Sequence, residues 1–144
     1  MKNTISLILA ISLFLFGVLK FVNPFKTWYQ IQILKSGLGE TSYWFGIAGE
    51  IFIGLLILST LYFRTRLSEK QFSISIIGAS LAIIVMMITA SYVHLQPDVP
   101  ASVLPLKIKP PIIPVVFLLL AAFNIFLTKK RRLTCNRCGE CFTF

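Results

Sequence analysis

Four long apolar segments leave almost no chain for anything else. They run from Ile5 to Val22, Tyr43 to Phe63, Phe72 to Val93 and Pro111 to Leu127. Each is close to the ~20 residues that cross ~30 Å of hydrocarbon as an α-helix. The composition agrees: 56% of residues are hydrophobic and 13% charged, against roughly 25% charged in a soluble domain. The expected fold is all-α, a polytopic membrane bundle of four helices over residues 1–128, with a basic, cysteine-containing tail over residues 129–144.

The first segment is read as a retained helix and not as a signal peptide. Lys2 precedes it, but it exceeds the usual apolar core of a signal and ends in Lys20-Phe21-Val22-Asn23-Pro24 without a small-residue cleavage site.

The net charge of +9 follows from topology and does not call for a nucleic-acid partner. Nine basic residues lie at Lys2, in Arg64 to Lys70 and in Lys129 to Arg137; only Lys26, Lys35, Lys107 and Lys109 occupy the remaining loops. The excess places both termini and the middle loop in the cytoplasm, in a plasma or inner membrane. Lys129-Lys130-Arg131-Arg132 then reads as a stop-transfer anchor against anionic lipid.

Between the first two spans, Asn23 to Leu38 is too polar to cross, yet it interleaves Phe25, Trp28, Tyr29, Ile31 and Ile33 with Lys26, Gln30 and Gln32. An interfacial helix or re-entrant turn is expected, with Trp28 and Tyr29 at the headgroup level. Gly37 and Gly39 predict a helix break before the second span. The five prolines between Leu95 and Pro111 predict an extended, stiff outer loop that caps the bundle. Pro111 and Pro114 fall in the first turn of the last helix, where a missing amide donor is harmless.

Three spans carry one ionisable residue near the same predicted outer face: Lys20, Glu50 and His94. Such a group in hydrocarbon costs roughly 2.5–3.5 kcal/mol on insertion scales and normally faces a bundle interior or hydrated pocket. Glu50 is the strongest candidate. It lies about 10 Å beyond Tyr43 along a helix, too deep for a short side chain to escape. Gly46 and Gly54 flank it on one helical face and admit a close neighbour. The competing structural reading is a buried ion pair or hydrogen bond. Lys20 has snorkelling to the interface as its alternative, and His94 has an ordinary boundary role. Together the three form a proton-responsive pocket or a headgroup-binding site. Asn124, deep in the last span, reads as an interhelical hydrogen-bonding residue.

A single histidine excludes bis-histidine haem ligation within one protomer. There is no Ser-His-Asp ordering, metal-binding His-Glu motif, Gly-rich phosphate loop or internal repeat. In the tail, Cys135, Cys138 and Cys141 have the spacing that opens a bacterial ferredoxin run, but the sequence stops at Phe144, one position before a fourth cysteine would fall. An iron–sulfur cluster there needs an external ligand; zinc or a redox-active thiol pair are further metal and redox alternatives. An exposed tail with incidental cysteines is the preferred reading.

The sequence resembles the DoxX family of small four-span membrane proteins over roughly residues 5–127. The resemblance is carried by Phe16-Gly17-Val18-Leu19-Lys20-Phe21 with Pro24, and by Gly49-Glu50-Ile51-Phe52-Ile53-Gly54-Leu55-Leu56. It implies a compact four-helix bundle, strengthens Lys20 and Glu50 as site residues, and implies association with a membrane redox system as an accessory subunit of a quinone-linked oxidoreductase. The leading expectation is a redox-associated subunit that binds a quinone-like or other small amphipathic ligand. Lys20 or His94 would hydrogen-bond a carbonyl, and Glu50 would tune charge or relay a proton. Its expected partners are lipid, a redox protein and further copies of the chain, with no specific nucleic acid. The alternatives are a non-enzymatic transporter or lipid-handling protein using the same pocket, and a scaffold whose buried charges specify helix packing.

Overall fold

The computed structural model describes residues 3–138, the side chains of Pro105 and of residues 134–138 excepted. Its described residues form five α-helices and two single-turn 3-10 helices: α1 (Thr4–Leu19), α2 (Phe25–Ser36), α3 (Gly39–Tyr62), α4 (Glu69–Leu95), the 3-10 turns Ala101–Val103 and Pro105–Lys107, and α5 (Ile112–Cys138). The protein is all-α. Three helices are long and apolar enough to cross a membrane: α3, α4 and α5 over Ile112–Leu133. These spans indicate a membrane protein. The first apolar segment becomes the shorter α1, whose 16 residues reach about 24 Å.

Local chemistry explains the boundaries. α2 ends at Gly37, whose φ of 75° is the left-handed conformation glycine adopts without a Cβ penalty, and Gly39 at φ 77° starts α3. This is the break expected from the two glycines. α4 begins with a capping box in which the Ser68 hydroxyl accepts from the Gln71 backbone N–H at 3.2 Å, while the Gln71 side chain accepts from the Ser68 N–H at 3.1 Å. Pro111 immediately precedes α5 and Pro114 occupies its first turn, so neither interrupts the helix. α5 continues through the basic run to Cys138, well past the boundary expected near residue 127.

Helix packing is pairwise, α1 against α3 and α4 against α5, with α3–α4 contacts joining the pairs. Glycines set the α1–α3 approach. A Cβ at Gly54 would sit 2.9 Å from the Phe14 backbone nitrogen, and one at Gly17 would sit 2.6 Å from Ile51 Cγ1. The inward stripes meet in an apolar core that includes Leu9, Leu13, Ile57, Phe72, Ile76 and Ile83. Leu15, Phe52, Leu81, Val85, Leu119 and Phe126 remain exposed on the outside of the bundle. So extensive an apolar exterior suits hydrocarbon and not water.

Polar side chains inside the bundle are hydrogen-bonded in sets. Ser6 on α1 donates to Asn124 Oδ1 at 2.7 Å, and Asn124 Nδ2 donates to Ser80 Oγ on α4 at 3.0 Å. Asn124 thus ties α5 to two other helices, as its depth implied. At the same end, Arg64 pairs with Glu69, and the Arg64 and Arg131 guanidiniums lie 4.4 and 5.7 Å from the centroid of the Phe72 ring. Arg131 also donates to Asn3 Oδ1 at 2.9 Å.

The opposite end is closed by α2 and by the loop between α4 and α5. Val93, Val99, Val103 and Leu104 form a second apolar cluster against Trp28, Ile31 and Leu38. The Gln32 amide donates to the Val103 carbonyl, and Lys109 Nζ donates to the Gln96 carbonyl at 2.8 Å. The loop between α4 and α5 therefore caps the bundle, as expected of it. It is less extended than its prolines suggested, because two 3-10 turns and positive φ values at Leu106 and Lys107 fold it back. Burial of Val99, Val103 and Leu104 supplies the reason: an extended path would leave them exposed.

Candidate functional site

Lys20 follows the last residue of α1, and Glu50 lies in α3, eleven positions beyond its start at Gly39. That start precedes Tyr43, so the carboxylate sits deeper in its helix than the sequence-based distance implied. Gly17 removes the side chain that would hold α3 away: a Cβ there would come within 3.2 Å of Glu50 Cβ. The two ionisable groups consequently meet. Lys20 Nζ donates to Glu50 Oε1 at 2.6 Å, and the two side chains are only 16% and 12% exposed. Lys20 is therefore turned into the protein, against Glu50.

A third residue completes this arrangement. The Tyr29 ring, from α2, lies under the Lys20 ammonium with 3.8 Å between Nζ and the ring centroid. An ammonium over the negative face of an aromatic ring is electrostatically favourable, more so when water is excluded. Tyr29 also packs on Tyr43 with ring centroids 5.2 Å apart. Its hydroxyl occupies the space that a side chain at position 46 would fill, so Gly46 admits the tyrosine of α2. Burial, reinforced by the nearby Glu50 carboxylate, raises the Tyr29 pKa and keeps the phenol protonated.

His94 lies near the end of α4 and is 5% exposed. It continues the inward stripe of Ile76, Ser80, Ile83 and Met87, lying seven residues, two turns, beyond the last of these. The Lys109 backbone lies close to the ring. His94 Nδ1 is buried without a partner among the described residues, as is Glu50 Oε2.

Lys20, Glu50 and His94 all line one cavity of about 400 Å³. This falls within the roughly 300–1,000 Å³ typical of small-ligand sites. The remaining wall is predominantly apolar, with Phe16, Trp28, Phe45, Met86, Met87 and Phe117 prominent; Gln32, Ser42 and Thr89 add the remaining uncharged polar side chains apart from Tyr29. A mostly apolar enclosure with a few convergent polar groups can hold a small amphipathic molecule and orient it.

The structure thus brings together the three residues singled out in the sequence. It adds Tyr29, whose tryptophan- and lysine-containing surroundings read as an interfacial anchor, and Gln32, which pins α2 to the loop between α4 and α5. The helical spacing from Met87 to His94 was the available signal that the histidine faces inward. No comparable spacing signal connects Tyr29 to Lys20, because they lie on different helices.

Cys135 and Cys138 fall in the last turn of α5, but their side chains and the whole of Cys141 lie outside the described residues. Among the described residues, no cluster of three or more histidine, cysteine or acidic side chains is placed to hold a metal.

Comparison with known proteins gives no matching family model, no matching curated protein and no matching solved structure.

Proposed function

We propose that this chain is a four-span integral membrane protein of DoxX-like type that binds a quinone-like or other small amphipathic ligand at its outer end. In this reading α1 is the fourth span, its apolar length extended by Phe21 and Val22, and α2 lies at the interface. The distribution of basic residues supports cytoplasmic termini in a plasma or inner membrane. The observation that carries the ligand-binding reading is the cavity of about 400 Å³ that combines an apolar aromatic wall with Lys20, Glu50 and His94. The resemblance carried by Phe16 to Phe21 and Gly49 to Leu56 supports service as an accessory subunit of a quinone-linked redox system.

The chemistry available from this chain's own residues is binding and placement. The apolar wall desolvates a ring or chain, while the polar groups fix its orientation. Lys20 and Glu50 neutralise one another across the cavity wall, so an uncharged ligand can enter without meeting a lone buried charge.

Mass spectrometry of small molecules co-purifying in lipid nanodiscs tests the reading, comparing the wild-type chain with Lys20→Met/Glu50→Leu. A near-stoichiometric quinone or similar amphiphile, lost in the double variant at unchanged helicity, is the expected result. Failure of the wild type to retain any such molecule, even after loading with excess quinone, would overturn it.

The Lys20–Glu50 pair also favours a second reading, a scaffold in which buried charges specify the α1–α3 pairing. It predicts that the double variant changes assembly while small-molecule content is the same as in wild type.

A further inference from the structure

Helix seams around the cavity are not equally shut. α1 and α3 approach closely beside Gly17 and Gly54, and α4 packs along α5. Between α1 and α5 the Phe16 and Phe117 rings pack together, with centroids 5.8 Å apart. The end is covered by α2 and the loop between α4 and α5, where Gln32 donates to the Val103 carbonyl and Trp28, Ile31 and Leu38 pack on that loop's apolar cluster. The α3–α4 seam differs. Gly49 offers no side chain there, and the Met86 thioether lies 3.3 Å from the place a Cβ would take. A single flexible methionine stands where two packed side chains would otherwise meet.

Residues around that methionine border both the cavity and the outside. Phe45 on α3 and Val85 on α4 line the cavity, yet they are 74% and 64% exposed. Thr89, one turn beyond Val85, also lines the cavity and is exposed. Phe45 in addition borders a surface depression that it shares with Glu40, Thr41, Trp44 and Ala48. Its ring is therefore part of a rim, and the cavity opens sideways between α3 and α4.

Both of these helices are long and apolar enough to cross a membrane. Val85 lies ten residues, about 15 Å, before the end of α4 at Leu95. Hydrocarbon is ~30 Å thick, so an opening at that level faces lipid chains and not water. The wall behind the opening, with Leu13, Phe16, Met86, Met87 and Phe117, is as apolar as the chains outside it.

Resting on the reading of the cavity as the site of an amphipathic ligand, we infer that this ligand is a bilayer lipid, held by an acyl chain that enters between α3 and α4. Met86 is the movable part of the entrance, because its side chain re-orients about three rotatable bonds without shifting either helix. The interaction is one of binding, with no bond made or broken.

Photolabelling tests this. Wild-type protein in phosphatidylcholine nanodiscs receives a trace of phosphatidylcholine carrying a diazirine midway along one acyl chain. A parallel sample receives the chain-free trifluoromethylphenyldiazirine. After irradiation, peptide mass spectrometry locates the labels. Leu13 and Met87 line the cavity and are buried, so a label on them comes from within it, whereas Phe52 and Leu119 are exposed on the outside and report contact with the surrounding bilayer. The lipid tracer is expected to label Leu13 or Met87 in the wild type and to lose that label in Val85→Trp, with Phe52 and Leu119 labelled as before. Thr89→Trp blocks the same opening one turn away and serves if Val85→Trp alters helicity. Labelling of Leu13 or Met87 by the chain-free tracer alone overturns the acyl-chain assignment while the small-ligand reading stands. Labelling of neither residue by either tracer overturns both. Persistence of the lipid label in folded Val85→Trp and Thr89→Trp overturns the entrance between α3 and α4.

Discussion

Lys20 and Glu50, thirty positions apart, form a 2.6 Å ion pair where the end of α1 meets the interior of α3. The pair exists because Gly17 and Gly54 let the two helices approach closely just inward of it. A lysine and a glutamate that each stand alone in an apolar run become one neutral unit. Its stability and its binding role can be separated by experiment.

Removing one member strands the other charge in a poorly solvated place. Glu50→Gln and Lys20→Met are each expected to destabilise the protein by about 3–5 kcal/mol, with Lys20→Met/Glu50→Leu recovering most of that loss. Thermal unfolding in nanodiscs, followed by helicity, measures all three. Additive losses in the double variant would contradict the pairing.

Tyr29 contributes to the same unit through its ring face and not through its hydroxyl. Tyr29→Phe should retain the contact with the Lys20 ammonium, whereas Tyr29→Leu should lose about 0.5–2 kcal/mol. Chemical denaturation of the two variants in matched detergent provides the comparison. Equal stability would show that the ring–ammonium contact adds nothing measurable.

Close packing at Gly54 makes a steric prediction with an internal control. Gly54→Leu should cost about 1–3 kcal/mol or more, because its Cβ alone meets the α1 backbone near Ala10 and Phe14. Gly78 has no atom within 4 Å of the corresponding position, so Gly78→Ala should be neutral or should gain up to about 1 kcal/mol from helix propensity. Melting temperatures of the two variants read the difference directly.

Asn124→Leu removes the link from α5 to both Ser6 and Ser80. Interhelical hydrogen bonds of this type contribute on average about 0.6 kcal/mol and at most about 1.7 kcal/mol each in membrane bundles. A total loss of about 1–3 kcal/mol is therefore expected, and Ser6→Ala should recover little of it. Unfolding of the single and double variants tests whether the three side chains act as one network.

Much of the helix plan is legible along the chain because its causes are local. Apolar runs placed α3 and α4 to within a few residues, and Gly37 and Gly39 marked the break between α2 and α3. The end of α5 was less legible. Lys129 to Arg132 look like the flank of a span, yet lysine and arginine are good helix formers and the helix passes through them. Glu50 stood out as a site residue because small residues recur at helical spacing around it. Tyr29 did not, since an aromatic residue beside Trp28 is equally at home in an interfacial belt.

The sequence by itself determined an all-α chain, its helix breaks and the three isolated ionisable positions, through hydrophobic runs, glycine conformations and capping that act within a few residues. Tertiary structure decided that Lys20 pairs with Glu50, that Tyr29 lies under the ammonium, and that His94 shares their cavity. Those relationships depend on how closely α1 approaches α3 and on how α2 and the loop between α4 and α5 fold over the bundle end. Such distances arise from packing between residues far apart in the chain, where local pattern carries no information about partner choice.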